Sequence, residues 1–257
     1  MREKWVIAAK KADFNGIGKR FGIDPVIARV MRNRGMTEPA EMEMYLHGTR
    51  KDLQDPHLLK DADRAAGIIY GKIQERKRIR IIGDYDIDGI QSTYILLKGL
   101  RRLEADVDYI IPDRIQDGYG LNEHLVTRAY DEGIDTILTC DNGISAVEQI
   151  ALAKKLGMTV VVTDHHEVPF EETENGRRQV RSAADAVVNP RQEDCPYPFK
   201  GLCGAAVAFK FIQVLYELAG IPVSEADPFI ENAGFATVGD VMDLQGENRI
   251  LVKLGLD

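Results

Sequence analysis

The sequence has few cysteines, and their number and spacing limit the classes of protein it could be. Its 257 residues include three: Cys140, Cys195 and Cys203. An odd and sparse set argues against a disulfide framework, and the spacing matches no zinc-binding pattern. We therefore expect a protein of a reducing compartment, the cytoplasm.

Long apolar segments and an excess of positive charge are also missing. No apolar run reaches the ~20 residues of a membrane-spanning helix, and the apolar stretch in "MREKWVIAAKK" (1–11) is too short for a signal peptide. We therefore expect no membrane association. The net charge of −8 is unlike the basic surface of a general nucleic-acid coat, although an acidic protein can hold phosphate through metal ions.

What the sequence does contain is an alternation of short β-rich runs and longer helical segments. Hydrophobic residues make up 44% of the chain, which is enough to bury a core. The predicted strands cover 78–82, 107–112, 134–140, 158–164 and 184–189. The predicted helices cover 89–104, 121–133, 144–157 and 202–220. This alternation is typical of an α/β fold with a mainly parallel sheet flanked by helices on both faces.

The N-terminal part has a different, helical pattern. "DPVIARVMRNRG" (24–35) begins with Asp24 as an N-cap and Pro25 at the first helical position, and Gly35 stops it. We predict a helical N-terminal segment over 1–55 and an α/β domain over 56–257. The chain stops inside an apolar pattern, so we expect it to be a piece of a longer protein. The polar stretch 167–183 is predicted to be a loop.

Three aspartates stand at alternate positions after the first predicted strand: Asp84, Asp86 and Asp88. Side chains two residues apart on a strand point the same way, so Asp84 and Asp86 can present two carboxylates together. Two desolvated carboxylates repel, and one would take up a proton unless a cation lay between them. Asp88 stands where the next helix should begin and is more simply interpreted as its N-cap.

Later predicted strands end in the same way, in "DNG" (141–143), "DHH" (164–166) and "NPR" (189–191). Binding sites of open parallel sheets form at the carboxyl ends of the strands. A late apolar run, "FATVGDVMDL" (235–244), adds one more buried-looking carboxylate. Any single aspartate after a strand is usually a cap or turn residue. The set is hard to explain without metal: Asp84, Asp86, Asp141, His165 and Asp240.

The donor types indicate which metal this set would hold. Four carboxylates and one imidazole are rich in oxygen, which favours Mn²⁺ or Mg²⁺. Four negative charges balance two divalent ions, and paired ions are the arrangement of phosphatases and nucleases.

At these residues the sequence resembles a known family. "GDYDIDG" (83–89), "DNGIS" (141–145) and "TDHH" (163–166) are similar to motifs I to III of the DHH phosphoesterase superfamily. Three further stretches resemble signatures of its RecJ family: "IPDRIQDGYGLN" (111–122), "CPYPFKGLCGAAVAFK" (195–210) and "ATVGDVMDL" (236–244). The resemblance implies 5′→3′ hydrolysis of single-stranded DNA to 5′-mononucleotides, with Mn²⁺ or Mg²⁺, in recombination and repair. It also implies a single-strand-binding protein and a helicase as partners.

The resemblance implies a role for each site residue. Asp84 would belong to one ion and Asp86 to the other, with Asp141 bridging them as a catalytic residue. The second ion would be completed by His165 and Asp240. The second catalytic residue, His166, would lie beside the scissile phosphate. Asp164 and Asp88 would orient these groups.

Two further residues are candidates for contact with the substrate. Asn142 follows Asp141 in the second motif, and Tyr119 lies in a Gly-rich loop. Tyr119 could stack on a base, but packing within the turn explains it equally well. The sequence also departs from the family's pattern. "RIRII" (78–82) lacks a histidine that some members use as a metal ligand, and the chain ends before the DHHA1 and OB-like domains.

Three other functions remain open from the sequence. A DHH-type phosphatase acting on pyrophosphate, oligoribonucleotides or cyclic dinucleotides would use almost the same centre. A HAD-type phosphatase would make Asp86 a covalent nucleophile but leaves "DNG" and "DHH" without a role. A replication scaffold without catalysis would have no need of a complete ligand set.

Overall fold

The computed structural model describes residues 11–115, 118, 120–173 and 176–256. It divides into two compact units, Met1–Asp52 and Leu53–Asp257. Each unit has a hydrophobic core of its own.

The first unit consists of short helices around three buried methionines. Its helices are α1 (Phe14–Phe21), α2 (Pro25–Asn33) and α3 (Pro39–His47), followed by a 3₁₀ turn over Arg50–Asp52. The predicted start of α2 is confirmed, because the Asp24 side chain accepts a hydrogen bond of 2.7 Å from the backbone N–H of Val26. The core contains Met31, Met36 and Met42.

The second unit is built on a five-stranded parallel sheet. Its strands are β1 (Ile79–Ile82), β2 (Val107–Ile110), β3 (Thr136–Cys140), β4 (Thr159–Thr163) and β7 (Ala186–Val188). The order across the sheet is β2-β1-β3-β4-β7, and every pairing is parallel. The predicted mainly parallel sheet is therefore confirmed.

Helices cover both faces of this sheet. They are α4 (Ala62–Gln74), α5 (Ile87–Arg102), α6 (Glu123–Asp131), α7 (Val147–Lys155), α8 (Gly204–Leu218), α9 (Phe229–Gly239) and α10 (Gly246–Leu256). The 3₁₀ turns of this unit lie at Pro56–Leu58 and Val223–Ala226. Alternate strand residues face opposite sides. Ile81 of β1 packs in the core formed with α4, α5 and α8, and Ile82 packs in the core formed with α6 and α7.

Two local predictions were wrong. The helix after β1 begins at Ile87, two residues earlier than predicted, and its N-cap is Asp86, which accepts a hydrogen bond from Gly89 N–H at 3.0 Å. The predicted loop over 167–183 contains an antiparallel hairpin, β5 (Phe170–Thr173) and β6 (Gly176–Gln179). Apart from Phe170 its strands carry no large apolar residue, so the sequence has no apolar alternation to reveal them.

The hairpin pairs opposite charges across its strands. Arg177 lies 2.8 Å from Glu172, and Arg178 lies 3.9 Å from Glu171. Cross-strand pairs of this kind stabilise a sheet modestly. Among the helices of the described residues, none is both long and apolar enough to cross a membrane.

Candidate metal centre

The candidate site lies where the chain crosses over in the sheet. β1 pairs with β2 on one side and with β3 on the other, so the connections leave in opposite directions at the β1/β3 boundary. A crevice forms outside the carboxyl ends of the strands at such a point. Asp84 follows β1, Asp141 follows β3 and Asp164 follows β4, so three motif residues lie at this edge.

Asp84, Asp86 and Asp141 form a first group of carboxylates. One oxygen of each lies within 4.8 Å of the others. Asp84 is 1% exposed, and its oxygens make no well-formed hydrogen bond among the described residues, only weak interactions with the backbone of Tyr85 and Gly120. Burial raises the pKa of Asp84, and the charge of Asp86 adds to the effect.

The reason for predicting this pair was wrong, although the pair itself is present. β1 ends at Ile82, so Asp84 and Asp86 lie in the turn between β1 and α5 and not on a strand. Asp86 is exposed and uses one oxygen, Oδ1, to cap α5. The expectation that these two aspartates serve different ions stays a prediction, since the structure brings both to Asp141.

His165 is the centre of a second group. Its Nε2 lies 3.0 Å from Asp141 Oδ1, 3.5 Å from Asp88 Oδ2 and 3.8 Å from Asp240 Oδ2. Asp88, His165 and Asp240 meet the same 4.8 Å criterion as the first group, and so do Asp141, His165 and His166. The chain thus brings all five predicted ligands together and adds Asp88 to them.

Asp88 does not cap the helix in which it lies, contrary to the sequence-based interpretation. It is fully buried in the first turn of α5, and its two oxygens accept hydrogen bonds from Gly204 N–H and Ala205 N–H at 2.6 and 2.7 Å. Asp88 therefore caps α8, whose N-cap residue Cys203 makes no side-chain capping bond. Motif I and the start of α8 are 116 residues apart in sequence, so no local signal could have revealed this contact.

Asp141 lies between the two groups. It is 2% exposed, and burial together with the charges of Asp88 and Asp164 raises its pKa strongly. Its φ of 59° lies in the left-handed region, which aspartate tolerates better than most residues. Gly204 approaches so closely that a Cβ there would lie 2.8 Å from Asp141 Oδ1. The packing of α8 therefore fixes the position of this carboxylate.

Asp164 orients the second histidine of the DHH motif. It is fully buried, its Oδ1 lies 2.8 Å from His166 Nδ1, and its Oδ2 accepts a hydrogen bond of 2.8 Å from Ile144 N–H. Burial alone would raise the pKa of Asp164, but the hydrogen bond and charge of His166, with the N–H of Ile144, hold it below its usual value. The same hydrogen bond raises the pKa of His166, because it stabilises the protonated ring. The His166 side chain is 43% exposed, so it can reach a substrate.

Of the two residues predicted to contact the substrate, Asn142 and Tyr119, the structure describes only Asn142. Asn142 is buried, and its amide donates to the carbonyls of Ile82 and Cys140 at 3.0 and 2.8 Å. It therefore ties the ends of β1 and β3 together, and its Oδ1 is buried as well. Tyr119 lies outside the described residues.

The arrangement fits divalent cations. In the described part of the chain, both oxygens of Asp84 are buried without a well-formed hydrogen bond, and the Nδ1 of His165 is buried without a hydrogen-bond partner. Buried carboxylates that raise one another's pKa are costly without a cation. An oxygen-rich set with one or two imidazoles suits Mg²⁺ or Mn²⁺, and the shared position of Asp141 suits a pair of ions.

Comparison with known proteins agrees with this geometry. The model of the family described as "DHH family, N-terminal domain" matches residues 78–233. The chain belongs to the DHH family. The matched segment includes every site residue except Asp240, so the DHH motifs of this chain are the residues at the carboxyl edge of its sheet.

This DHH chain is similar over most of its length to proteins named single-stranded-DNA-specific exonuclease RecJ. It is 36% identical to that of Bacillus subtilis, over 99% of this chain and 30% of the relative. A solved structure of RecJ from Thermus thermophilus in complex with Mn²⁺ matches with a TM-score of 0.70 and 31% identity, covering 95% of this chain and 32% of that one. The structure titled "exonuclease RecJ bound to manganese" matches with a TM-score of 0.66 and 36% identity, covering 77% and 48%. The chain spans less than half the length of these proteins.

Proposed function

We propose that this DHH chain is the catalytic domain of an exonuclease that hydrolyses single-stranded DNA in the 5′→3′ direction and releases 5′-mononucleotides. The observation that carries the proposal is the pair of ligand groups at one sheet edge, with Asp141 in the first group and 3.0 Å from His165 in the second. The names of its relatives support the substrate.

Two divalent ions, Mn²⁺ or Mg²⁺, complete the proposed centre. Asp84 would belong to one ion and Asp86 to the other, His165 and Asp240 would complete the second ion, and Asp141 would contribute to both. When bound, such ions supply Lewis acidity to the phosphoryl oxygens and a water of lowered pKa. Solved structures of RecJ bound to manganese or magnesium support this choice.

The remaining side chains act on position and proton transfer. Asp164 fixes the ring of His166 through Nδ1, which leaves proton exchange to Nε2. A protonated His166 is suited to bind a non-bridging phosphate oxygen or to donate a proton to the leaving oxygen. Asp88 anchors the N-terminus of α8 beside Asp141, so the carboxylates keep their positions when the substrate arrives.

The wider biology follows from the same proposal. We place the protein in the cytoplasm, in recombination and repair, with single-strand-binding protein and a helicase as partners. Three buried free cysteines support a reducing compartment. These statements depend on the activity and stand or fall with it.

The decisive test is product analysis with a panel of substrates. The chain is incubated with Mn²⁺ and single-stranded DNA labelled at either end, duplex DNA, pyrophosphate or a cyclic dinucleotide. We expect 5′-mononucleotides from single-stranded DNA, released first from the 5′ end, and none in EDTA. Faster hydrolysis of pyrophosphate or the cyclic dinucleotide would replace the proposal with a DHH-type phosphatase. Binding of Mn²⁺ without hydrolysis of any of these substrates would contradict it.

A further inference from the structure

A row of large apolar side chains is exposed along the contact between α5 and α9. Ile90 and Tyr94 of α5 are 45% and 46% exposed, and Phe235 of α9 is 54% exposed. Ile90 and Tyr94 are four residues apart and so lie on the same face of α5. The metal centre uses none of these residues.

The contacts between the two helices place these side chains next to one another. A Cβ on Gly239 would lie 2.6 Å from Ile87 Cγ2, and Asn232 Nδ2 donates to Gln91 Oε1 at 2.6 Å. The helices are therefore antiparallel, with residue 87 level with 239 and residue 91 level with 232. Interpolation between these two contacts puts Ile90 and Phe235 at about the same level, and both side chains are exposed to solvent.

One end of the row is the metal centre. Asp86 is the N-cap of α5 and Asp240 is the C-cap of α9. Ile90 comes one helical turn after Asp86, about 6 Å along the axis, and Tyr94 comes about 6 Å further. An extended ligand leaving the metal centre along α5 would meet Ile90 first and Tyr94 next.

The other end of the row carries positive charge. Lys98 and Arg101 are exposed and follow Tyr94 by four and seven residues, on the same face of α5. Neither forms an ion pair among the described residues, whereas the neighbouring Arg102 is held by Glu225 at 2.7 Å. This face of α5 therefore presents carboxylates first, then large apolar side chains, and then two cations without an ion pair in the described chain. The whole pattern spans about 22 Å, the length of 15 helical residues.

We propose that this face is a track for single-stranded nucleic acid, with bases stacked on Tyr94 and Phe235 and phosphates bound by Lys98 and Arg101. We call it the α5–α9 track: Ile90, Tyr94, Lys98, Arg101 and Phe235. The proposal rests on the proposed function and names the surface by which the centre receives its substrate.

The composition of the track favours nucleic acid over a protein partner. Proteins that bind single strands without sequence preference combine aromatic stacking platforms with cations along the backbone. Nothing in protein–protein recognition requires an apolar patch to lie between a metal centre and two cations that form no ion pair in the described chain. A second copy of the chain or another protein on this face is therefore treated as an outcome of the test.

The first experiment measures the affinity of the chain for a fluorescent dT12 oligonucleotide by anisotropy in EDTA, where no hydrolysis occurs. We expect Tyr94→Ala and Phe235→Ala each to weaken binding about 5- to 150-fold, which corresponds to the ~1–3 kcal/mol of one base–aromatic stack. Tyr94→Trp should retain the affinity because it keeps an aromatic face. Tyr130→Ala is the matched control, because Tyr130 is 49% exposed on α6, which packs against the other face of the sheet.

The second experiment tests the cations through salt dependence. Each phosphate contact contributes about 0.7 to the slope of log affinity against log salt for single strands. We expect Lys98→Ala and Arg101→Ala together to reduce that slope by about 1.4. Lys155→Ala, an exposed lysine of α7, should leave it unchanged.

The outcomes separate the track from the catalytic proposal. Binding of dT12 that depends on Tyr94, without nucleotide release in Mn²⁺, would support the track and contradict the exonuclease. Nucleotide release with affinities unchanged in all track variants would contradict the track alone. Unchanged dT12 affinity with altered self-association of Phe235→Ala in sedimentation would overturn the track in favour of a protein interface.

Discussion

Asp164 holds His166 at two points, because its Oδ1 lies 2.8 Å from the ring Nδ1 and also accepts a hydrogen bond of 3.1 Å from the backbone N–H of His166. The ring therefore has one orientation and presents Nε2 outward. Neighbouring His165 instead directs Nε2 into the carboxylates. Adjacent histidines of one motif thus have different positions, one among the ligands and one exposed beside them.

His166→Ala should lower turnover of a chromogenic phosphodiester about 10²- to 10⁴-fold, the range of general acid–base catalysis, while Mn²⁺ affinity changes little. Calorimetric titration of Mn²⁺ beside the hydrolysis assay measures both. Asp164→Asn keeps an acceptor for Nδ1 and should have a smaller effect on turnover. Because His166 also lies within 4.8 Å of Asp141 and His165, loss of Mn²⁺ binding in His166→Ala would show that it is a ligand.

Asp141→Asn should separate the stabilisation that Asp141 gives through Mn²⁺ binding from its effect on the stability of the metal-free chain. Mn²⁺ at about 100 times its Kd should add ~2.7 kcal/mol to the unchanged chain, a rise of about 5–10 °C in Tm for a unit of this size. The variant should lose most of that rise but melt no lower in EDTA, because burial and the neighbouring carboxylates already favour the neutral form of Asp141 when no metal is bound. Asparagine is chosen since it accepts the φ of 59° at this position. An equal rise with Mn²⁺ in the variant would place the metal elsewhere.

Gly204→Ala should weaken metal binding without unfolding the chain. The new Cβ would lie 2.8 Å from Asp141 Cβ and Oδ1, and displaced supporting groups typically cost 10- to 100-fold in metal affinity. Gly67→Ala in α4 is the control, because a Cβ there meets no atom within 4 Å. It should stabilise the fold by up to ~1 kcal/mol and leave the Mn²⁺ Kd unchanged. Equal Kd values for both variants would remove Gly204 from the site.

These relationships show what sequence patterns could and could not predict. The strands of the parallel sheet and the ends of five helices, α2 and α5 to α8, follow from apolar runs and caps, so they were predicted within a few residues. The helices α4, α9 and α10 were not predicted. The five candidate metal ligands were predicted because each follows a strand or interrupts an apolar run, and the structure brings them together. The clustering at one edge then follows from parallel strands.

The roles of Asp88 and the 170–179 hairpin could not be found in this way. Asp88 looks like a local N-cap, and its actual partners, Gly204 and Ala205, are brought to it only by the packing of α5 against α8. The hairpin is held by pairs such as Glu172 with Arg177, which a polar composition hides. Where a local pattern allows several roles for a residue, its tertiary contacts decide which role it has.

His57 should make stability depend on pH near neutrality. Its Nδ1 lies 2.6 Å from Asp63 and its Nε2 lies 3.2 Å from Glu217, and both nitrogens can donate only when the ring is protonated. Burial lowers the pKa of His57, but the hydrogen bonds and charges of Glu217 and Asp63 outweigh it, so the pKa is raised. A raised pKa means that the stabilisation is complete below about pH 6.5, the unfolded value, and is lost as pH rises through the folded value.

Urea midpoints at pH 6 and pH 8.5 measure this effect. His57→Gln should reduce the difference between the two midpoints, whereas His124→Gln, at an exposed position of α6 without an ion pair in the described chain, should not. A difference as large in His57→Gln as in the unchanged chain would assign the pH dependence to other groups.

Lys210 and Glu247 form an ion pair inside the second unit, and breaking it should be costly. Their side chains are 1% and 2% exposed, and Nζ lies 2.6 Å from Oε1. Glu247 also accepts hydrogen bonds from Tyr197 Oη at 2.5 Å and Gln54 N–H at 3.0 Å. Lys210→Met should therefore destabilise the fold by about 3–5 kcal/mol, because Glu247 would remain charged, buried and without its cation.

The double variant Lys210→Met/Glu247→Gln tests that reason. The Oε1 of a neutral glutamine can still accept from Gln54 N–H, and its Nε2 can donate to the Tyr197 hydroxyl, which then acts as the acceptor. The double variant should therefore recover most of the stability lost in Lys210→Met. Urea unfolding of the single and double variants gives the coupling energy directly. If the double variant is no more stable than Lys210→Met, the loss comes from the packing of the lysine stem in α8 and not from the unpaired charge.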